Sequence, residues 1–386
     1  MKKIPIRIID KDFNLLGEID DYESLQFIRR FYKVGEFELH INMDKANTDA
    51  LVKNNLIILG SSLNKIGIIM HRENQVDDNG IDELIIKGPT LKGIMSRRLI
   101  VPPVNGNGYD SQTGSIETIL KGFVNNHVVN PTDANRKILQ VSIAPDLHRG
   151  KQDKWRSRFE ILSDKLAEVG EYASMGWDVV LDIDNNKWVF DVVEGKNITV
   201  DQDTLPPVIF STDFDNITNP HLIQSLINTF NVGYAGGHGD DEDRLIQQIG
   251  NSTGIERIET FIDCSQAEDV AELTSMAQQK LNELKEIKTF EFEIIPDNTF
   301  IYEQDYDLGD TVTAQSRKWG AIINCQIIEV KEIYEVTGFK LQATFGTNIP
   351  NIISKIKNIS KSLSVFSSAN TGSTGTEISV IDGGNF

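Results

Sequence analysis

A glycine-rich run, Gly233–Gly239 (GYAGGHG), followed at once by Asp240, Asp241, Glu242 and Asp243, is the densest grouping of chemically capable residues in this chain of 386 residues. Glycines can wrap a phosphate with backbone N–H groups, but a phosphate loop then requires Lys followed by Ser or Thr. Carboxylates follow here and would repel phosphate, so the run reads as a mobile loop. With His238 the same carboxylates could hold a divalent cation. They lack the alternating ligands and central glycine of a calcium loop, and a solvated charge run is the plainer reading. Gly106–Gly108 (GNG) follows Pro102 and Pro103 instead of a buried strand, which argues against a dinucleotide fingerprint.

His40, His71, His127, His148, His221 and His238 are scattered, with no HExxH spacing. Cys264 and Cys325 are the only cysteines, too few for a disulfide framework or a zinc site, and they read as reduced thiols of a protein made in a cytoplasm. Neither has a histidine within a few residues, and carboxylate pairs are too common in an acidic chain to single any out. No catalytic, cofactor-binding or metal position emerges, and the expectation is that the protein is not an enzyme.

The formal net charge is −19, and residues 201–310 hold 23 acidic against 5 basic side chains. A surface of that sign repels nucleic-acid phosphates, which argues against a DNA-binding role in the usual sense. It suits a wall past which DNA slides without sticking, or a solvated face that keeps the protein soluble. No apolar run reaches membrane-spanning length, and the start, MKKIPIRIIDKDF, has no apolar signal core, so neither a membrane segment nor Sec export is expected.

The elements around these residues are mostly strands. IPIRIID, LLGEID, SLQFIRRF and GEFELHINM lie within residues 4–43, with turns at Asp12–Asn14 and Gly35, and Phe37, Leu39 and Ile41 alternate with polar neighbours. With 56–70 and 81–87 they make a first antiparallel β-barrel or sandwich over 1–100. A mixed α/β domain follows over 101–205. Ser115 caps a helix carrying Ile116, Ile119, Leu120 and Phe123, stopped at Asn130 and Pro131. A second helix carries Phe159, Leu162, Leu166 and Val169 and ends at Gly170. A hairpin then sets Val179, Leu181 and Ile183 against Trp188, Phe190 and Val192 across Asp184–Asn186.

Residues 206–240 and 289–350 read as a second β-barrel, interrupted over 241–288 by an acidic, helical insertion. Its helix is expected to open on a Ser265/Glu268 capping box and to bury Val270, Leu273, Ala277, Leu281, Leu284 and Ile287. Residues 351–386 have the composition of a flexible tail, with one apolar phrase, Ile378–Ile381, that could add a strand to a neighbour or stay loose. The fold class is therefore mainly β with α+β insertions.

Two segments repeat one phrase: Gly80–Gly88 (GIDELIIKG) and Gly338–Gly346 (GFKLQATFG). Gly67 and Gly320 stand in corresponding places upstream, which predicts a hairpin about five residues longer in the second copy. Duplication inside one chain points to assembly before catalysis.

Several segments resemble the Gp37-like siphophage tail proteins, a baseplate hub family of phages that infect Gram-positive bacteria. They are SLQFIRRFYKVGEFELHINM, KIGIIM through IIKGPTLKGIMSRRLI, NTFNVGYAGG with GIERIETFID, and YEQDYDLGDTVTAQ with IIEVKEIYEVTGFKLQATFG. The resemblance implies a hub of four domains in which two related β-barrels per subunit alternate around a homotrimer. That makes a pseudo-sixfold ring continuing the tail tube, with a channel for DNA exit. It implies partners in the distal tail protein, tail tube or tape measure protein and in a downstream tail fibre or receptor-binding protein. DNA would pass without specific binding, and the protein would sit at the virion tail tip after assembly in the host cytoplasm. Longer members continue into cell-wall hydrolase domains; this chain ends at Phe386, so lysin activity is not expected. The competing readings are a cell-wall hydrolase component and a carbohydrate-binding module using Trp155, Trp177, Trp188 and Trp319 as stacking platforms.

Overall fold

The computed structural model describes residues 3–346 except 77–79, 81, 105, 107, 240, 268 and 296–298. Asp240 of the acidic run, Glu268 of the expected capping box and the whole of 351–386, with Ile378–Ile381, lie outside the described residues.

The first module runs through β1 (Ile6–Ile9), β2 (Leu15–Ile19), β3 (Ser24–Arg30), β4 (Glu36–Asn42), β5 (Leu56–Leu59), β6 (Ile66–Ile68), β7 (His71–Val76) and β8 (Asp82–Pro89). β3 and β4 alternate buried and half-exposed residues, and Leu25, Phe27, Phe37, Leu39 and Ile41 form one core with Leu84 and Ile86. β5 (LIIL) is buried at every position, because both faces of its sheet, ordered β2-β1-β5-β6, are covered. Ile57 and Leu59 join the core under β3 and β4, while Leu56 and Ile58 join the core of the next region.

That region contains β9 (Asp110–Ser115), α1 (Ile116–Val124), β10 (Val141–Ile143), β11 (Gln152–Ser157), α2 (Leu162–Ala173), β12 (Gly176–Asp182) and β13 (Lys187–Val193). Ser115 caps α1 as expected, its hydroxyl accepting from Thr118 N–H at 3.3 Å. A π-helical turn, Asn125–Val129, follows before Asn130. α2 runs past the expected stop at Gly170 and ends on Ser174, which takes the left-handed conformation with φ 55°. Gly170 is needed for packing instead: a Cβ there would meet Met175 O at 2.5 Å. The β12–β13 hairpin forms as read, although Ile183 lies in its turn and is exposed.

The rest comprises β14 (Ile209–Ser211), β15 (Ile217–Ser225), β16 (Val232–Gly236), β17 (Ile246–Ile249), β18 (Glu259–Asp263), α3 (Val270–Asn282), β19 (Ile287–Ile294), β20 (Thr311–Ser316), β21 (Ala321–Glu335) and β22 (Gly338–Gly346). β17-β16-β18 is a small sheet with α3 on one face, where Leu273, Ala277 and Leu281 pack on Ala235, Ile249 and Ile262. α3 opens one turn later than expected. Asp269, not Ser265, is its N-cap and accepts from Glu272 N–H at 2.7 Å. The helix also stops at Asn282, before Leu284, and Ile287 begins β19.

Among the described residues no sheet closes into a barrel, contrary to the expectation of two β-barrels. The two modules instead share one ten-stranded sheet, in the order β15-β19-β22-β21-β3-β4-β8-β7, with β20 and β14 attached at β21. The duplication holds at the level of pairing. β3–β4, β4–β8 and β7–β8 correspond to β15–β19, β19–β22 and β21–β22, and the β5–β6 hairpin corresponds to β20–β21.

The glycine frame that exposes the repeat is one residue out of register. It would lay Leu84 on Gln342, which is exposed. Leu84 faces Ile41 across the sheet, and its counterpart facing Ile294 is Leu341; Ile86 then matches Ala343 and Gly88 matches Phe345. A slip of one residue puts every side chain on the wrong face, so packing and not the glycines sets the equivalence. Gly67 and Gly320 are likewise unmatched. Gly67 lies inside β6 opposite Ile57, whereas Gly320, with φ 61°, lies in the β20–β21 turn. The extra residues of the second copy lengthen strands: β21 is one strand of 15 residues with a bulge between Ile327 and Glu329, where the first copy breaks into β6 and β7.

Candidate functional site

Where β21 pairs with β3, the two modules are joined edge to edge from Glu329 opposite Arg30 to Glu335 opposite Ser24. Charged residues occupy inward positions of both strands here. Arg29 follows Leu25 and Phe27 on the buried face of β3, and Glu332 lies between Val330 and Tyr334 on the buried face of β21. Lys65, from the β5–β6 turn, lies 2.8 Å from Glu332 Oε1, a charge contact whose approach is out of line for a hydrogen bond, and 3.0 Å from Glu303 Oε1. Tyr334 OH donates to Glu332 Oε2 at 2.6 Å. Arg29 donates to Tyr302 OH at 2.9 Å and to Glu303 and Asp307, each at 3.2 Å. Side chains of both modules thus satisfy one another's charge across the seam. Sequence reading missed this cluster, although its signal was present: a charge at the buried phase of an alternating strand.

The opposite face of the sheet is polar and continuous across the seam. Cross-strand register puts Glu36, Glu38, Glu73, Glu83, Glu291, Glu293, Glu329 and Glu335 on it, against the fixed cations Arg30, Lys87, Lys331 and Lys340. Arg30 spans the two modules, 2.7 Å from Glu36 and 2.6 Å from Glu329, and Lys87 lies 3.0 Å from Glu38. His40 sits 2.7 Å from Glu38 and 2.6 Å from Glu83. Burial alone would lower the His40 pKa, but these two carboxylates hold it above its ordinary value. With most cations already paired to carboxylates, the face presents net negative charge. A 670 Å³ depression opens on it, lined among others by Gln26, Arg30, Glu36 and His71.

The residues that drew attention in the sequence are dispersed. Gly233–Gly236 belong to strand β16 and not to a mobile loop, and Arg244 closes the following turn by donating to the carbonyls of Gly236 and Gly237 at 3.3 and 3.2 Å. Asp241, Glu242 and Asp243 form an exposed 3₁₀ turn. Gly106 and Gly108 lie in the loop before β9. His127 is buried 2.7 Å from Asp110, His71 and His148 pair with Glu73 and Asp146, and His221 lies 3.7 Å from Glu291. Cys264 and Cys325 are free thiols in separate cores. Among the described residues no group of three His, Cys, Asp or Glu side chains could hold a metal ion, and no helix is long and apolar enough to cross a membrane. Trp155, Trp177 and Trp188 are buried in one core, out of reach of a sugar; Trp319, 44% exposed, packs edge-on against Phe290.

Residues 5–347 match the model of the siphovirus ReqiPepy6 Gp37-like proteins, a phage tail family. The chain belongs to that family. Solved structures similar to this Gp37-like chain are a tail protein from Neisseria meningitidis MC58, the 43 kDa tail protein of prophage MuSo2 from Shewanella oneidensis and the prophage tail protein gp18 from Listeria monocytogenes EGD-e. The first is 14% identical with a TM-score of 0.57 and covers 90% of this chain and 97% of its own. The second is 11% identical, with a TM-score of 0.56 over 88% and 98%. The third is 14% identical, with a TM-score of 0.54 over 93% and 99%. At such identities the likeness establishes the fold. No curated protein sequence matches the chain.

A second buried charge of this Gp37-like protein gives it a pH response. Glu171 of α2 is 6% exposed, with Lys33 at 3.3 Å, and burial pushes its carboxyl up to about 7 from an ordinary 4.5, against the pull of Lys33. A carboxyl raised in the folded state binds more protons there than in the unfolded chain between those two values. The contribution of Glu171 to stability therefore falls as pH rises from about 4.5 to about 7 and is level above that. Glu171→Gln is expected to flatten this fall, which amounts to at most about 3 kcal/mol. Urea midpoints of both proteins at pH 5 and pH 8 check it; parallel changes in the two would refute it.

Proposed function

We propose that this tail protein is a hub: three copies close a ring in which six similar modules continue or cap the tail tube, and DNA leaves through the middle. The observation that carries the reading is the seam. One chain lays two modules of equal strand order side by side in one sheet and, among the described residues, leaves an edge strand free at each end, β15 and β7. Such a chain is a repeating unit of a larger ring, and a threefold ring of two-module chains matches a sixfold tube. The net negative polar face, turned inward, repels the phosphates of passing DNA. Its acids come from both modules, and only Glu291 and Glu293 come from the strongly acidic third of the sequence. The parts over 101–205 and 241–288 then lie outside the ring and are the surfaces for the distal tail, tape measure and fibre or receptor-binding proteins of a phage of Gram-positive hosts. The protein assembles in the host cytoplasm and acts without enzymatic chemistry.

Purified protein should have three times the 43.3 kDa chain mass by light scattering and appear as a ring of tube width in negatively stained images. A monomer, both alone and within purified tails, would overturn the reading. Cleared zones on peptidoglycan zymograms would replace it with a hydrolase.

A further inference from the structure

We propose that the joint between copies is an antiparallel strand pair, β7 of one copy against β15 of the next, in the register that β21 and β3 already show within the chain. This rests on the ring reading and specifies its interface. The equivalences fixed by packing place Asn74 where Glu332 stands and Leu222 where Phe27 stands. Since Glu332 lies opposite Phe27, and Lys331 opposite Ile28, the copy-to-copy pairs are Asn74 with Leu222, Glu73 with Ile223, Arg72 with Gln224 and His71 with Ser225.

Two observations outside that register support it. Phe31 N–H donates to Ile328 O at 2.9 Å just past the seam. The equivalent residues are Leu226 and Met70, which are 59% and 55% exposed on the single chain and would cover each other in the joint. β15 also carries its bulge, with Pro220, between Thr218 and His221, leaving His221–Ser225 as the stretch able to extend a ladder. β7 is exposed at every position but Arg72, the condition of an edge strand with unpaired backbone groups.

Opposed residues of an antiparallel pair have Cα atoms about 4.5–5.5 Å apart, within disulfide range. Full-length protein carrying Glu73→Cys with Ile223→Cys should, on mild oxidation, give a covalent ladder ending at the trimer on non-reducing gels. Met70→Cys with Leu226→Cys provides a second pair, should the first fold poorly. Wild type, whose cysteines are buried, should give none. Glu73→Cys combined with His221→Cys or Ser225→Cys lies about two residues out of register and should stay uncrosslinked. A trimer that crosslinks only through a shifted pair, or through none, would overturn the strand pairing and leave the ring standing. A protein that never trimerises would overturn both.

Discussion

Replacing Lys65 by methionine is expected to lower the unfolding free energy by about 3–5 kcal/mol, the cost of leaving a buried charge without its partner. Glu332 is 1% exposed and Lys65 4% exposed, so neither can turn to water when the other is lost. Glu303, the other anion beside Lys65, is far more accessible and can hydrate, so the cost falls on Glu332. Methionine keeps the length and most of the volume of lysine, which separates the charge from the packing. Adding Glu332→Gln should then recover much of the loss, because the amide can still accept from Tyr334 and no charge is left stranded. The reading is the urea midpoint together with amide exchange in β21, where opening of the seam appears first. A single variant within 1 kcal/mol of wild type, or a double variant worse than the sum of the singles, would show that the pair does not hold the modules together.

What could be read in the sequence was whatever has a short period. FELHI declared a half-buried strand, Ser115 declared a helix start, and the hairpin from Val179 to Val192 was plain in its alternation. The repeat was visible because both copies keep the same strand, and the resemblance to the tail protein family rested on segments of those modules and of the small β17-β16-β18 sheet. Register was not legible. Gly80, with φ 78°, precedes β8, whereas Gly338, with φ 133°, is already the first residue of β22, opposite Glu335, so aligning the two glycines misplaces the core by one. Nor did the sequence show that the modules share a sheet. An isolated strand such as β3 looks the same whether its outer edge faces water, its own module or another, and the choice is made by side chains far away in the chain, such as Tyr302, 273 positions from Arg29, and Glu332, which meets Lys65. The helical cap slipped for a local reason: Ser265 and Asp269 both begin S/T/D-x-x-E patterns, and the helix starts at the second.

Gly88→Ala is expected to be the most damaging single methyl group in the first module. A Cβ at this position would lie 1.8 Å from Ile68 O and 3.2 Å from Met70 N, where the chain leaves β6 and crosses over β8 to begin β7. Backbone surrounds it, so no rotamer change makes room. Moving β8 away would cost the pairing of Gly88 with Phe37, and moving Ile68 would disturb the bridge of Gly67 to Thr90. The equivalent residue in the second module is Phe345, fully buried, because β21 runs on through its bulge and does not press down on β22 in this way. One position therefore demands no side chain in one copy and a large one in the other, which is how a duplicated module comes to have two different ends. Overpacking of a core ordinarily costs about 1–3 kcal/mol, and with a backbone atom as the obstacle the loss should be at or above the top of that range. Since β7 leads directly out of this crossing, the variant should also lose the proposed trimer in proportion to any surviving monomer. Thermal unfolding and light scattering of the same preparation test both; a variant of wild-type stability and unchanged mass would mean that β8 can yield and that the crossing does not fix the edge.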